Sequence, residues 1–340
     1  MIGTGGHNHG WRAWRTTAAC LVICAAIRPG AAAAQEPVVA SVESCALSAR
    51  SAPHAVIRVI DGATLALDDG TTVRLIGALA PTSLDAGAVP SNGNGGHDDV
   101  ADGPNDKGTA AAASVSRAIS DTLQHNWQPA VSARETLSQL VNGRSVTLAT
   151  AGRQRDRYGR SLAQVFVNEP DGSTLWLQGA MLSAGQARAY GTADNFACMD
   201  AMLAAEAPAR DAHRGLWANP AYAIRSAVKT RNLMRLRGTF QIVAGEVRAS
   251  QQAKSGWTYL NFGKNWKSDF SASIAPDLAR AHPEWAAGLL GLKGRTVRVR
   301  GWIERRNGPS INVEHPSQIE LVEADETAAA RTPARALSDR

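Results

Sequence analysis

Cysteine is scarce. Four in 340 residues are too few for a disulfide-built scaffold, and no Cys-x-x-Cys or paired Cys/His spacing points to structural zinc. The eight histidines include no His-Glu-x-x-His, and the run from Gly288 to Arg295 lacks the Gly-Lys-Ser/Thr end of a phosphate loop. Zinc hydrolases and P-loop nucleotidases are therefore excluded as readings. Aromatics make up 5% and charged residues 19%, yet a hydrophobic share of 44% rules out wholesale disorder. No apolar run reaches the ~18 residues of a membrane span apart from one candidate at the N-terminus.

That candidate reads as an export signal. Arg12 and Arg15 precede a short apolar stretch from Thr16 to Ile27, and Ala32-Ala33-Ala34 offers small residues for cleavage before Gln35. A retained anchor and a lipoprotein are the rival readings. Cleavage would remove Cys20 and Cys24, leaving Cys45 and Cys198 in a secreted or periplasmic chain. Two thiols in an oxidising compartment make a disulfide the expectation, with two separate buried thiols as the alternative. No histidine pattern marks either one as catalytic.

Composition divides the chain into a signal (1–34), a first domain (45–220), a second domain (235–323) and a tail (324–340) expected to be disordered. Residues 54–81 alternate apolar and polar, with turn signals at Asp61-Gly62 and Asp69-Gly70. Residues 83–130 are Gly-, Ala-, Asp-, Asn- and Ser-rich and read as a flexible insertion. Leu137, Leu140 and Val141 then have helical spacing up to Asn142-Gly143, and strands are expected at Val146–Ala149 and Leu162–Val167. Helices are expected over Leu175–Gly185 and from about Cys198 to His213, the latter burying Ala201, Leu203 and Ala204. Residues 225–323 carry 16 Lys+Arg against 8 Asp+Glu and so hold all of the chain's positive excess. Their order is expected to be strands at Phe240–Arg248, Trp257–Phe262 and Phe270–Ile274, a helix at Pro276–Leu290, and strands at Thr296–Arg305 and Ser310–Val322. Three strands, a helix and two strands is the order of an OB barrel.

Residues from about 54 to 217 carry four motifs in order: Val59-Ile60-Asp61-Gly62-Ala63-Thr64-Leu65, Val73-Arg74-Leu75-Ile76-Gly77 through Ala80-Pro81, Asp156-Arg157-Tyr158-Gly159-Arg160, and Glu206 through Arg210 to Gly215-Leu216-Trp217. On these the segment resembles the staphylococcal-nuclease (thermonuclease) family. The resemblance implies a five-stranded OB-type barrel capped by helices, so the fold class is mainly β with α, two such barrels in series. It also implies calcium-dependent phosphodiester hydrolysis, with Arg74 and Arg160 as the phosphate-binding arginines and Asp61 as a metal ligand. A hard cation needs oxygen ligands, and guanidiniums stabilise charge on a phosphoryl group. Here the sequence departs from the family. Ala63 and Leu79 stand at the two other ligand aspartates, and Thr82 stands at the catalytic glutamate. Hydrolysis is expected to be weak or absent, since loss of a general base alone costs ~10²–10⁴ in rate. Calcium is expected only if the protein is active, and no other cofactor is indicated.

Candidate nucleic-acid contacts follow from aromatic and basic residues together. Tyr158 could stack on a base, or sit as a half-buried turn residue. In the second barrel Trp257 and Tyr259 interleave with Lys264 and Lys267, and Arg298, Arg300, Arg305 and Arg306 add charge on its fourth strand. The bland alternative places the aromatics in the core and leaves the lysines as solubilising charge. The expected function is an exported binder of nucleic acid or another phosphate polyanion. Two other readings stand beside it: an active nuclease using carboxylates of the 83–130 insertion (Asp85, Asp98 or Asp99), and a non-catalytic, envelope-associated partner-binding protein.

Overall fold

The computed structural model describes residues 45–82, 128–191 and 194–322; the signal, the tail and the greater part of the insertion lie outside the described residues. Residues 128–130, assigned above to the insertion, are instead the first turn of a helix, α1 (Gln128–Val141). The helix buries Ala133, Leu137 and Val141 on one face, and that apolar stripe draws the three preceding residues into regular structure.

The first barrel begins with β1 (His54–Asp61), β2 (Thr64–Leu67), β3 (Thr72–Leu75) and a short β4 (Ala78–Leu79). After α1 come β5 (Ser145–Ala149), β6 (Ser161–Asn168), β7 (Thr174–Trp176), α2 (Leu177–Ser183), β8 (Arg188–Ala189) and α3 (Met199–Asp211). The sheet order is β3-β2-β1-β5-β6-β7, and a parallel β3–β6 pairing closes five of the strands into a barrel. Leu65, Val73, Leu75, Val146, Ala163 and Val165 fill it from alternate positions, as a period of two requires. Leu175 and Trp176, expected in a helix, belong to β7, because Trp176 pairs with Phe166 across the sheet before the chain turns into α2.

Gly62 allows the β1–β2 turn to sit against α1: a Cβ there would lie 2.7 Å from that of Ala133 and 2.9 Å from that of Ala80. Cys45 is disulfide-bonded to Cys198 at the start of α3. The buried face of α3 differs from the expected one. Met199, Met202, Ala205, Glu206, Ala209 and Arg210 are buried, while Ala204 is exposed.

The second half adds β9 (Arg225–Ser226), α4 (Thr230–Arg235), β10 (Phe240–Glu246), β11 (Ala249–Gln252), β12 (Thr258–Asn261) and β13 (Ser271–Ile274). Two short helices, α5 (Pro276–Ala281) and α6 (Pro283–Leu290), replace the single expected helix, because Pro283 sits where His282 breaks from helical geometry. β14 (Thr296–Trp302), β15 (Glu304–Arg306), β16 (Gly308–Val313) and β17 (Ile319–Leu321) complete the fold. β11 was not expected from the sequence, and a short turn at Pro316–Gln318 splits the last expected strand in two.

These strands form two sheets, β17-β14-β10-β9 and β11-β12-β13-β16-β15. The chain passes from one sheet to the other four times, at β10–β11, β13–β14, β14–β15 and β16–β17. The closing pair β13–β16 is parallel, and β10–β14 is antiparallel. Phe262, Phe270, Ile274, Val297, Val299 and Ile311 form the core between the sheets.

The two halves meet on Ala209, Trp217, Phe240 and Ile242, with Leu79, Tyr190 and Ile224 packed around them. Beside this apolar contact lies a buried ionic one. Arg300 of β14 donates to both oxygens of Glu206 on α3, at 3.2 and 3.0 Å, to the Ala189 carbonyl at 2.9 Å and to Glu320. Arg210 donates to Glu206 at 3.2 Å. Glu206 Oε2 also accepts the Ala189 N–H at 2.6 Å, so the buried carboxylate has no shortage of donors.

Candidate phosphate-binding cavity

Closure of the barrel brings Arg74 and Arg160 together across 86 positions of sequence. Val73 and Leu75 point into the barrel, so Arg74 between them points out. In the parallel β3–β6 pair Arg74 lies opposite Leu162, and Arg160 directly precedes β6. Arg160 closes a turn stapled by Asp156: Oδ1 accepts the Tyr158 N–H at 2.9 Å and the Arg160 N–H at 3.0 Å, and Oδ2 accepts Arg160 Nε at 2.6 Å. Gly159 sits at φ +78°, in the left-handed region that favours glycine. Burial works to raise the Asp156 pKa, but these hydrogen bonds outweigh it and hold the carboxyl below its ordinary value. Arg74 donates to Thr64 Oγ1 at 3.1 Å and pairs with Asp61 at 3.4 Å. Its pKa is lowered, chiefly by burial, with the Arg160 charge adding to that and Asp61 opposing it.

Both arginines line a cavity of about 710 Å³ together with Leu79, Arg153, Arg157, Tyr158, Tyr190, Asp194 and Trp302. Arg153 is paired with Asp194 at 2.6 Å, Asp156 with Arg160 and Asp61 with Arg74, so four guanidiniums meet three carboxylates. The excess is positive and suits an anion. Tyr158 is 71% exposed, with the guanidiniums of Arg157 and Arg160 at 5.4 and 5.2 Å from its ring centre, so it is no half-buried turn residue. Its ring is available to a ligand while flanked by cations.

Calcium does not fit the residues present. Asp61 is the one carboxylate of the expected ligand set, and its Oδ1 already accepts the Ala63 N–H at 2.8 Å and faces Arg74. Ala63 is fully buried in the core cluster with Ala78, Ala80 and Ala133, and Leu79 joins the apolar contact with the second half. Thr82 is half-buried at the end of the described segment.

The remaining candidates are scattered. Trp257 and Tyr259 are half-buried and stacked, with ring centres 6.4 Å apart and planes 19° apart, and Arg306 lies 4.6 Å from the Trp257 ring. Arg305 and Arg306 were expected to add charge on the same strand as Arg298, but they lie on the separate β15. Lys264 and Lys267 are exposed in the β12–β13 loop rather than on a strand, where Lys267 covers Trp266 at 5.6 Å. Arg298 is half-buried opposite Ala244 and Glu320 in the sheet. Arg300 is a correction: it is 1% exposed and held by Glu206 and Glu320, so it does not face solvent or a polyanion. Tyr190 and Trp302 were absent from the expected site, because neither lies in a motif and both reach the cavity through long-range packing.

The first half is thus a closed five-stranded barrel with a basic, aromatic-walled cavity at its β3–β6 seam. Residues 118–219 match the family model described as "Staphylococcal nuclease homologue", and with the barrel this shows a staphylococcal-nuclease-like domain in the chain. The match includes Arg160 and Glu206, while Asp61 and Arg74 lie before it on strands that complete the same barrel. No curated protein sequence matches the chain.

Proposed function

We propose that the protein binds nucleic acid through the Arg74–Arg160 cavity and does not hydrolyse it by the family's calcium mechanism. The observation that carries this reading is an intact pair of phosphate-position arginines beside the buried Ala63 and the half-buried Leu79, where two ligand carboxylates would stand. Guanidiniums without a metal or a base can hold a phosphodiester but supply neither an activated water nor the hard Lewis acid that polarises the phosphoryl oxygen. The Trp257–Tyr259 stack with Arg306 is a second surface suited to single strands, aromatic faces for bases and cations for phosphates. Export is part of the same proposal. The disulfide is compatible with it, and no helix among the described residues is long and apolar enough to cross a membrane.

Binding of a fluorescent single-stranded oligonucleotide, measured across a salt series, tests the reading. The logarithm of affinity is expected to fall linearly with log salt, by about 0.7 in slope for each phosphate neutralised. Arg160→Ala and Arg74→Ala should each lower affinity and flatten that slope by about one contact. In parallel, calcium is expected to produce no cleavage above that seen with a chelator. Calcium-dependent cleavage that disappears in Arg160→Ala would show that carboxylates of the insertion complete the site. Salt-insensitive binding would reject the phosphate clamp.

A further inference from the structure

We propose that Trp302, a residue of the second half of the chain, is a base-stacking wall of the Arg74–Arg160 cavity. The site would then take an unpaired nucleotide, its phosphate on the arginines and its base on the indole. This rests on the nucleic-acid reading above and goes further, since the staphylococcal-nuclease-like barrel does not itself contain Trp302.

The placement follows from alternation along β14. Val297 and Val299 are fully buried toward the second core, which puts Arg298, Arg300 and Trp302 on the opposite face. Gly301 between the last two must be small, because a Cβ there would lie 2.5 Å from Ile311 Cγ2. Arg300 is consumed by the buried ion pair with Glu206, and this bond ties β14 to α3 of the first barrel. Two residues on, the same face presents Trp302 at the cavity.

The ring is fixed there and is not spent on packing. Its Nε1 donates to Tyr190 Oη at 3.1 Å. Its edge contacts are to Tyr190 and Phe240, at 6.3 and 6.2 Å with planes 84° and 71° apart, and Phe240 is also its cross-strand partner. Phe240 itself is held by Arg188 of β8, which donates to its carbonyl at 3.0 Å and lies 4.9 Å from its ring. Even so, Trp302 remains 44% exposed. A large aromatic held at the wall of a cationic cavity, and left with this much open surface, has the chemistry of a base platform next to a phosphate site. Bases within a duplex are stacked on one another and cannot reach it without unpairing, so the preference is for single strands.

The test uses the full mature chain and two probes, a short oligothymidine and an abasic oligonucleotide of the same length, with affinity read by fluorescence anisotropy. Trp302→Ala is expected to weaken oligothymidine binding about 5- to 150-fold, the range of one stacked base, and to leave the abasic probe unchanged. Trp302→Phe keeps an aromatic face against Tyr190 and Phe240 and should recover part of the loss. Arg160→Ala should weaken both probes alike. A Trp302→Ala protein that loses both probes equally, or neither, overturns the stacking assignment while leaving the phosphate clamp standing. If the wild-type protein binds neither probe in a salt-sensitive way, the nucleic-acid reading fails and the assignment of Trp302 falls with it.

Discussion

Replacing Arg300 with alanine is expected to cost about 3–5 kcal/mol of stability, more than any surface substitution in the chain, because it strands a buried carboxylate. Glu206 is fully buried and would keep Arg210 and the Ala189 N–H as donors among the described residues. The Ala189 carbonyl would lose its guanidinium donor in the same step. Arg300→Lys should recover only part of the loss. The guanidinium uses Nε, Nη1 and Nη2 on three different groups, and an ammonium cannot reproduce that fork. The effect has a pH signature. For Glu320, burial acts to raise the pKa, but the charges of Arg300, Arg210 and Arg298 outweigh it and hold the value below the ordinary 4.5. A depressed carboxyl contributes stability above its unfolded value and loses it as pH falls through the folded one. The difference between wild type and Arg300→Ala should therefore be full near neutrality and narrow below about pH 4.5 as Glu320 protonates. Denaturant midpoints at constant m, taken across that range, measure it. A difference under about 1 kcal/mol at neutral pH would mean that solvent reaches the pair and screens it.

The same ion pair shows where sequence reasoning reached its limit. Barrel strands and their turns were legible because alternation and Asp-Gly turns are local signals, whereas the joint role of Arg74 and Arg160 was what the family resemblance implied. The arginines of β14 were read as charge on a strand. Which outer face meets water is a different question, settled by contact with a second folded unit, and the reading placed Arg300 in solvent for that reason. Helix α3 misled in the complementary way. A search for its apolar stripe found Ala201, Leu203 and Ala204, whereas the buried face carries Glu206 and Arg210. Two opposite charges four residues apart look like an exposed helical pair unless a third charge from elsewhere completes them. Leu79 has the same lesson. In the sequence it is a missing ligand; in the structure it is part of the apolar contact between the two halves, so the carboxylate's place is taken by packing. Ala63 is likewise core. A metal site in this barrel would therefore require removing packing as well as adding oxygen.

Reduction of the Cys45–Cys198 bond, or its replacement by serines, is expected to have the other large effect. The bond joins positions 153 residues apart, and in the chain-entropy account closing a loop of that length is worth about 5 kcal/mol through the unfolded state. The folded side has its own reason to keep the bond. The segment after Cys45 runs along β5, where Ser48 donates to the Thr150 carbonyl at 2.9 Å and Ser51 to that of Leu148 at 2.8 Å. Cys198 sits at the start of α3, whose far end carries Glu206 and Arg210. The disulfide thus fixes one end of the helix that the buried ion pair fixes at the other, and both constraints act on the element joining the two halves. Two separate measurements are needed. Thiol titration of the denatured, unreduced protein prepared without residues 1–34 should find no free cysteine. Denaturant unfolding with and without reductant should then differ by about 3–5 kcal/mol, and the Cys45→Ser, Cys198→Ser double variant should match the reduced protein. Because Arg300 and Cys198 act on the same helix, combining Arg300→Ala with the double serine variant should depart from simple additivity. Additive losses would show instead that the two ends of α3 respond independently, and that the helix does not transmit constraint from one half of the protein to the other.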